Sequence, residues 1–187
     1  DDVVMGCTFP EAEQGLNIAR VLVAKAGLPD EVPGMTVNRF CSSGLQAISI
    51  ACERIMCGMA ECIVAGGMES MSGTPYVLHG AKKGFKFGDR KLQDSMILDG
   101  LWCSFQNWHM GSAAELTAEK SSITREQQDE YALNSHKKAL AAQENGKFDA
   151  EIFPVEVAQR KGDPVIFNKD ECPRAGISME ALAKLRP

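Results

Sequence analysis

Apolar residues in the first part of the chain alternate between short extended runs and longer runs with helical spacing. Val3 to Met5 forms a brief apolar run that predicts a strand. Residues 14–26 then carry apolar side chains at helical spacing, and the helix that they predict ends at Gly27 and Pro29. The chain therefore opens with a strand followed by a helix.

This alternation continues as far as residue 66. Met35–Val37 predicts a second strand and Cys62–Ala65 a third, and a helix lies between them. The apolar face of that helix consists of Leu45, Ile48, Cys52, Ile55 and Met59. Strand–helix–strand–helix–strand order with short connections is typical of a parallel sheet. The predicted fold class is therefore α/β.

The chain changes character after Gly73. Residues 74–108 contain scattered glycine, lysine and aromatic residues without a clear period, which predicts a long excursion from the sheet. The excursion contains a cationic stretch made of Lys82, Lys83, Lys86, Arg90 and Lys91. Phosphate binding and a solvated face are both compatible with this stretch.

Helical spacing returns at residues 111–122. Thr124 is followed three residues later by Gln127, the arrangement of a capping box, which predicts the start of a further helix that runs through Gln143. The last predicted element is a hairpin made of Ile152–Val157 and Val165–Phe167.

Composition places the chain among globular proteins. Of its 187 residues, 44% are hydrophobic and 24% are charged, which excludes wholesale disorder. The net charge of −5 argues against general nucleic-acid binding, and no apolar run approaches the roughly 20 residues of a membrane span. The first residue is not methionine and both ends have the character of chain interior, so we expect a piece of a longer protein.

The seven cysteines are odd in number, and no pair has the CxxC spacing of a zinc site. We therefore expect no metal, no disulfide framework and a reducing compartment, which favours the cytoplasm and is also compatible with an organellar matrix. Most of the thiols are predicted to be small buried apolar groups. The absence of GxGxxG and GxxxxGK[ST] patterns gives no support to dinucleotide or P-loop nucleotide binding.

One of these cysteines, Cys41, lies where a predicted strand gives way to a predicted helix. The small residues Ser42, Ser43 and Gly44 allow the helix to begin at once. Unpaired backbone N–H groups and the positive end of the helix dipole favour a thiolate at this position, and a thiolate is a nucleophile. A buried cysteine that caps the helix is the alternative interpretation. None of the other cysteines has this placement in the predicted elements.

Five segments of the sequence carry distinctive motifs. They are NRFCSSGLQA around Cys41, VAGGMESMS from Val64, WHMGSAAE from Trp108, TREQQDEYALNSHKKA from Thr124 and AKLRP at the end of the chain. Together they resemble the thiolase family, which includes the acetyl-CoA acetyltransferases and the 3-ketoacyl-CoA thiolases. The resemblance implies a layered α/β fold, with residues 1–73 in an incomplete N-terminal domain and residues 74–187 in an inserted α+β loop domain.

The resemblance also implies roles for four residues. Cys41 matches the nucleophile that accepts the acyl group, and its backbone N–H is expected to stabilise the thioester oxyanion by roughly 3–4 kcal/mol. His109 and Met110 match the HMG motif of the loop domain, which lines the substrate channel. Arg174 matches a loop-domain arginine near the coenzyme A nucleotide. His136, on a helix rich in lysine and glutamine, is expected to be solvated instead.

The implied activity is acyl transfer between coenzyme A thioesters, through an acyl-Cys41 intermediate. It covers condensation of two acetyl-CoA molecules and thiolytic cleavage of a 3-ketoacyl-CoA, and the HMGS sequence from His109 leans towards an acetyl-CoA acetyltransferase. The expected partner is acyl-CoA or CoA, with no cofactor, nucleic acid or membrane. A homodimer or homotetramer is expected, and the cationic stretch is a candidate for contacts between its subunits.

Two alternatives stay open. A ketoacyl synthase shares the CSSGLxA-like turn but acts on acyl carrier protein, and a relative without catalysis would bind acyl-CoA only.

The family's Asn-Glu-Ala-Phe, Gly-His-Pro and Cys-x-Gly motifs, which supply the base for the nucleophile, do not occur in the sequence. We therefore expect these 187 residues alone to lack turnover and to expose a large apolar surface that makes them marginally stable or self-associated.

Overall fold

A three-stranded parallel sheet is the frame of the first part of the chain in the computed structural model, which describes residues 1–186. Its central strand is β1 (Asp2–Gly6), which lies between β2 (Gly34–Val37) and β3 (Ile63–Gly67). All three strands run parallel. Nearly every residue of β1 is buried, as the central strand of a sheet covered by helices requires. The predicted parallel α/β arrangement is confirmed.

Helix α1 (Ile18–Lys25) connects β1 to β2 and is shorter than the helix predicted for residues 14–26. Leu16 adopts a left-handed backbone (φ 63°) and leaves its side chain exposed, which stops the helix from extending towards the N-terminus. Asn17 is the N-cap residue, but its side-chain oxygen accepts from the Thr36 hydroxyl at 2.7 Å rather than from an N–H of α1, and its Nδ2 donates to the Gly34 carbonyl at 2.7 Å. The apolar spacing therefore predicts the body of the helix correctly but not its first turn.

Helix α2 (Ser43–Met56) packs on the sheet through a narrow face of small residues. Its buried positions are Ser43, Ala47 and Ala51. The larger apolar residues by which the sequence predicts this helix are all exposed. Leu45, Ile48, Cys52 and Ile55 lie on its other side, and Met59 follows the end of the helix. Small side chains allow the helix to approach the sheet closely, so the small face is the one that packs. The predicted exposed apolar surface is confirmed.

Only Cys7 among the seven cysteines is buried. Cys103 is half-buried, and the other five are exposed. The expectation that most of the thiols are buried is therefore wrong. The apolar runs around Cys52 and Cys57 belong to the side of α2 that faces away from the sheet, so their apolar neighbours do not bury them.

The excursion that follows the sheet contains two short antiparallel pairs. β4 (Tyr76–Leu78) pairs with β5 (Leu92–Asp94), and β6 (Trp102–Cys103) pairs with β7 (Trp108–His109). A π-helical turn (Ile97–Leu101) lies between the two pairs. None of these strands joins the parallel sheet, in line with the prediction for this region. Strands of two or three residues are too short to show a period in the sequence.

The chain divides into two compact units, residues 1–113 and a second unit that begins at Ala114. This boundary between the compact units lies within helix α3 (Met110–Lys120). The domain boundary predicted at residue 73 is based on the change in sequence character and stays a prediction. Helix α4 (Arg125–Glu144) begins with the predicted capping box, and both of its hydrogen bonds, between Thr124 and Gln127, are present.

The second unit also contains the predicted hairpin, formed by β8 (Val155–Val157) and β9 (Val165–Phe167). A short helix that was not predicted, α5 (Met179–Leu182), follows it and is capped by the Ser178 hydroxyl. The AKLRP segment ends at Pro187, which lies outside the described residues. Among the helices of residues 1–186, none has the length and apolar character needed to cross a membrane.

Candidate active site

A tight turn between β2 and α2 carries Cys41. Ser43 is the first residue of α2, and its hydroxyl accepts a hydrogen bond from the Arg39 N–H at 2.8 Å and donates to the Phe40 carbonyl at 2.6 Å. Phe40 has a left-handed backbone (φ 51°), which is uncommon for a residue with a side chain. The turn reverses the chain within a few residues and leaves Cys41 exposed, two positions before the helix.

Glycine at the end of β1 allows α2 to begin directly on the sheet. A Cβ atom at Gly6 would lie 2.5 Å from the carbonyl carbon of Ser43 and 2.6 Å from the nitrogen of Gly44, both of them backbone atoms. A Cβ atom at Gly67 would meet the Cα of Gly44 at 3.5 Å. The ends of two strands therefore press against the first turn of the helix, and only glycine fits at Gly6 without moving it.

Cys41 opens into a cavity of about 380 Å³ at the carboxyl edge of the sheet. The ends of β1 and β3, the first turn of α2 and the π-helical turn form its walls. Most of the lining side chains are apolar: Phe9, Phe40, Met68, Met71 and Leu101. An apolar cavity of this size with a thiol at its wall suits a nucleophile that acts on a small organic group.

Glu69 contributes the one carboxylate of this cavity among the described residues, two positions after the end of β3. Burial by itself raises the pKa of Glu69, but hydrogen bonds from the backbone N–H groups of Thr8 and Phe9 outweigh this effect, and the net pKa is lowered. The net shift is in the opposite direction at Cys7. There burial and the negative charge of Glu69 both raise the thiol pKa, to about 11. Glu69 is therefore an anion and Cys7 a neutral thiol at physiological pH.

His109 and Met110 lie outside the Cys41 cavity. His109 is the last residue of β7 and Met110 the first of α3, and both are exposed. The Nδ1 atom of His109 accepts a hydrogen bond from the Gly111 N–H at 3.0 Å, so the neutral imidazole carries its proton on Nε2. The structure thus orients the His109 ring without bringing it to the wall that Cys41 lines.

Arg174 lies in the second unit, where its guanidinium is exposed and its backbone N–H donates to Nδ1 of His136 at 3.1 Å. His136 is half-buried, so the expectation that it is solvated holds only in part. The composition of α4 suggested a solvated face, but the loop that carries Arg174 folds back onto the helix and supplies a hydrogen-bond donor to the ring.

Sequence analysis missed the polar network behind the cavity, in which Glu69, Gln14 and Asn38 take part. Glu69 and Asn38 both occur in the quoted motifs, but their partners lie about 30 to 60 residues away along the chain. Gly6 was missed as well. A signal for it exists, because a glycine that ends a central strand indicates a close approach of another backbone.

Comparison with known proteins agrees with the resemblance seen in the motifs. A family model described as "Thiolase, N-terminal domain" matches residues 1–187. An acetyl-CoA acetyltransferase of Pseudomonas aeruginosa is 53% identical over 187 residues, and one of Cupriavidus necator is 51% identical over 186 residues. Each match covers 100% of this chain and 47% of the relative, so the chain spans about half the length of the curated relatives that it matches.

A solved structure gives the same result for the fold. The crystal structure of the Bacillus anthracis acetyl-CoA acetyltransferase superposes with a TM-score of 0.94 at 42% identity. The superposition covers 100% of this chain and 47% of that chain. A further relative, from Staphylococcus aureus, is 46% identical over 187 residues and is named a probable acetyl-CoA acyltransferase.

Proposed function

Because this chain belongs to the thiolase family, we propose that it supplies the nucleophile of an acyltransferase that moves acyl groups between coenzyme A thioesters. The observation that carries the proposal is the exposed thiol of Cys41 at the wall of an apolar cavity, beside the amino end of α2. Backbone N–H groups at a helix terminus are suited to a developing oxyanion, and the Cys41 N–H is our candidate donor.

In the proposed reaction the Cys41 sulfur attacks the thioester carbonyl carbon of an acyl-CoA, forms a new C–S bond and expels CoA as the leaving thiol. In condensation the acyl group then passes from Cys41 to the α-carbon of acetyl-CoA, which gives up a proton, and the product is a 3-ketoacyl-CoA. In thiolysis the Cys41 sulfur instead attacks the 3-keto carbon of a 3-ketoacyl-CoA, the bond between the α- and β-carbons breaks, and acetyl-CoA leaves with the thiol proton on its α-carbon. The acyl group then passes from Cys41 to the thiol of CoA. The thioester is electrophilic by itself, so we propose that no metal or cofactor is required.

We further propose that these 187 residues do not turn over by themselves. No histidine lines the cavity within the described residues, and the lining carboxylate of Glu69 is committed to hydrogen bonds, so the thiol of Cys41 has no base there. The large apolar residues of α2 are exposed, with Leu45 at 70% and Met56 at 85%, a surface that usually receives further protein. We propose that the base lies in the portion of the relatives that this chain does not span, as the family resemblance implies.

The experiment uses the full-length protein, or a chimera in which the remaining part of the Pseudomonas aeruginosa relative follows residue 187. After incubation with radiolabelled acetyl-CoA and quenching, peptide mapping should find the label on Cys41. Cys41→Ala should abolish labelling and turnover, whereas the matched variant Cys52→Ala, which removes an exposed thiol outside the cavity, should leave both unchanged. Label on another residue would reject the proposal, and so would turnover by Cys41→Ala.

The proposed substrate is a short acyl group, because the relatives from Pseudomonas aeruginosa and Cupriavidus necator are named acetyl-CoA acetyltransferase. Steady-state rates with acetoacetyl-CoA and with a long-chain 3-ketoacyl-CoA test this choice. A higher kcat/KM for the long-chain substrate would overturn it.

The remaining proposals concern three residues of the loop region, the assembly of the enzyme and its compartment. We propose that His109 and Met110 contact the acyl-CoA in the full-length enzyme and that Arg174 contacts its nucleotide end. We also propose that the enzyme is a homo-oligomer and that it works in a reducing compartment such as the cytoplasm. The seven unpaired cysteines support the reducing compartment. Charge-neutral variants Arg174→Gln and His109→Gln should raise KM for acyl-CoA, and an unchanged KM would reject each contact.

A further inference from the structure

Within residues 1–186, two ionisable side chains line the cavity, the thiol of Cys41 and the carboxylate of Glu69. The proposed function uses the first of them only. Glu69 lies two positions after the end of β3, at the carboxyl edge of the sheet, and it lines the same cavity as the nucleophile. A carboxylate in this place requires an explanation, because negative charge in the cavity does nothing to favour a thiolate.

The oxygens of Glu69 are occupied by donors from a distant part of the chain. Oε2 accepts the Thr8 N–H at 2.7 Å, and Oε1 accepts the Phe9 N–H at 3.1 Å. The Cys7 thiol is a third donor at 3.5 Å. These contacts fix the backbone that leaves β1. Hydrogen bonds to the charged form also lower the pKa, so Glu69 is poorly suited to take a proton from Cys41.

Gln14 completes the attachment from the buried side. It is only 3% exposed, and its Nε2 donates to Oε1 of Glu69 at 3.3 Å and to the Phe9 carbonyl at 3.2 Å. Its Oε1 accepts the Ser70 N–H at 2.7 Å. Gln14 therefore connects Phe9, in the segment after β1, to Glu69 and Ser70, in the segment after β3. These bonds restrain the direction of the Glu69 carboxylate.

Asn38 connects this segment to the Cys41 turn. Its Nδ2 donates to the Thr8 carbonyl at 3.0 Å, and its Oδ1 accepts the Phe40 N–H at 2.9 Å. Phe40 is the residue with the left-handed backbone that immediately precedes Cys41. A continuous path thus leads from the Glu69 carboxylate through Thr8 and Asn38 to the turn.

We propose that Glu69 is a positioning residue for Cys41. Glu69 anchors the Thr8 backbone, to which Asn38 is hydrogen-bonded, and so holds the turn that carries Cys41 in its strained conformation. This inference rests on the proposed function of Cys41. A strained backbone conformation persists only where the surrounding structure holds it in place. The two hydrogen bonds of Asn38 hold the Phe40 backbone to the segment that follows β1. The reacting sulfur needs a fixed position because a misplacement of about 1 Å can cost roughly 100-fold in rate.

The test compares Glu69→Gln with Glu61→Gln in the full-length protein. Gln at position 69 keeps the side-chain shape but offers one acceptor oxygen, so one of the two backbone N–H groups loses its partner. Glu61 is an exposed carboxylate that precedes the same strand at its opposite end, which makes it the matched control. Active sites are counted by acetyl labelling of Cys41, so that kcat refers to folded, labelled sites.

We expect Glu69→Gln to lower kcat per labelled site about 10- to 100-fold while KM changes less than about threefold. The rate constant for alkylation of Cys41 by iodoacetamide should fall in parallel, and the pH profile of kcat/KM should keep its pKa values. Glu61→Gln should match the wild type in each measurement. An unchanged kcat per labelled site would overturn the proposal, and so would loss of a limb of the pH profile, which would make Glu69 the general base.

Asn38→Ala keeps the inference testable if Glu69→Gln does not fold. It removes the connection to Phe40 and should reproduce the loss of kcat and of alkylation rate, and normal rates in this variant would overturn the proposal. Where both variants fold, the double variant should be no slower than the slower single variant, because both changes break one path. If the wild type itself acquires no label on Cys41, the proposed function fails rather than the positioning role alone.

Discussion

Replacement of Gly6 by alanine tests whether the position of Cys41 depends on the close approach of α2 to the sheet. The new Cβ would lie 2.5 Å from the carbonyl carbon of Ser43 and 2.6 Å from the nitrogen of Gly44. Real Cβ atoms essentially never approach other atoms this closely, and both neighbours are backbone atoms that cannot rotate away. The strand end or the first turn of α2 must therefore move.

The expected cost is at the upper end of the range for overpacking, about 3 kcal/mol, because relief requires movement of a helix rather than of a side chain. That cost corresponds to roughly a 100-fold increase in the local opening constant. Hydrogen-exchange mass spectrometry on the full-length protein should show this loss of protection in peptides that cover β1 and the start of α2. The rate constant for alkylation of Cys41 should change in the same variant.

Two other glycines provide the controls. At Gly34 a Cβ would lie 2.6 Å from the nitrogen of Arg20, so Gly34→Ala should lower protection in α1 and β2 but leave the reactivity of Cys41 unchanged. At Gly44 an added Cβ would have no atom within 4 Å apart from its chain neighbours and the backbone of its own helix, and Gly44→Ala should keep or slightly raise the protection of α2. Protection of α2 in Gly6→Ala within about 0.5 kcal/mol of the wild type would refute the packing argument.

Two further predictions concern stability. Cys7 has a pKa of about 11 in the folded protein against 9.0 for an ordinary thiol, so its contribution is complete below pH 9.0 and is lost as the pH rises towards 11. The difference in the free energy of unfolding between the wild type and Cys7→Ala should therefore shrink over this interval, and a constant difference would show that the Cys7 thiol titrates normally. Arg125 donates to the carbonyls of Leu182 and Leu185 at 2.7 and 3.1 Å and forms an ion pair with Asp129. Arg125→Lys, which cannot reproduce these planar contacts, should destabilise α5 by about 1–3 kcal/mol, and equal proteolytic susceptibility of α5 in both proteins would contradict this.

Elements that depend on neighbouring residues could be predicted from the sequence. The capping box of α4 involves Thr124 and Gln127, three residues apart, and both of its hydrogen bonds are present. The strand–turn–helix around Cys41 is equally local, since small residues allow the helix to begin just after the thiol. Motif resemblance added the family, which the comparisons confirm over the whole chain.

Properties that depend on distant parts of the chain could not be predicted in this way. The two apolar faces of α2 are both visible in the sequence, but only packing decides that Ala47 and Ala51 contact the sheet while Leu45 and Ile48 stay exposed. The half-buried state of His136 depends on the backbone of Arg174, which is 38 residues away.

The sequence alone determined the parallel α/β class and the family, and it predicted Cys41 as the reacting thiol, because each depends on local pattern and motif. Only the tertiary structure decided how that thiol is held: Gly6 lies against Ser43 and Gly44, and Glu69 anchors Thr8 across 61 residues of chain. The physical reason is that hydrogen bonds and steric contacts act over a few ångströms in space, whatever the separation of their partners along the chain.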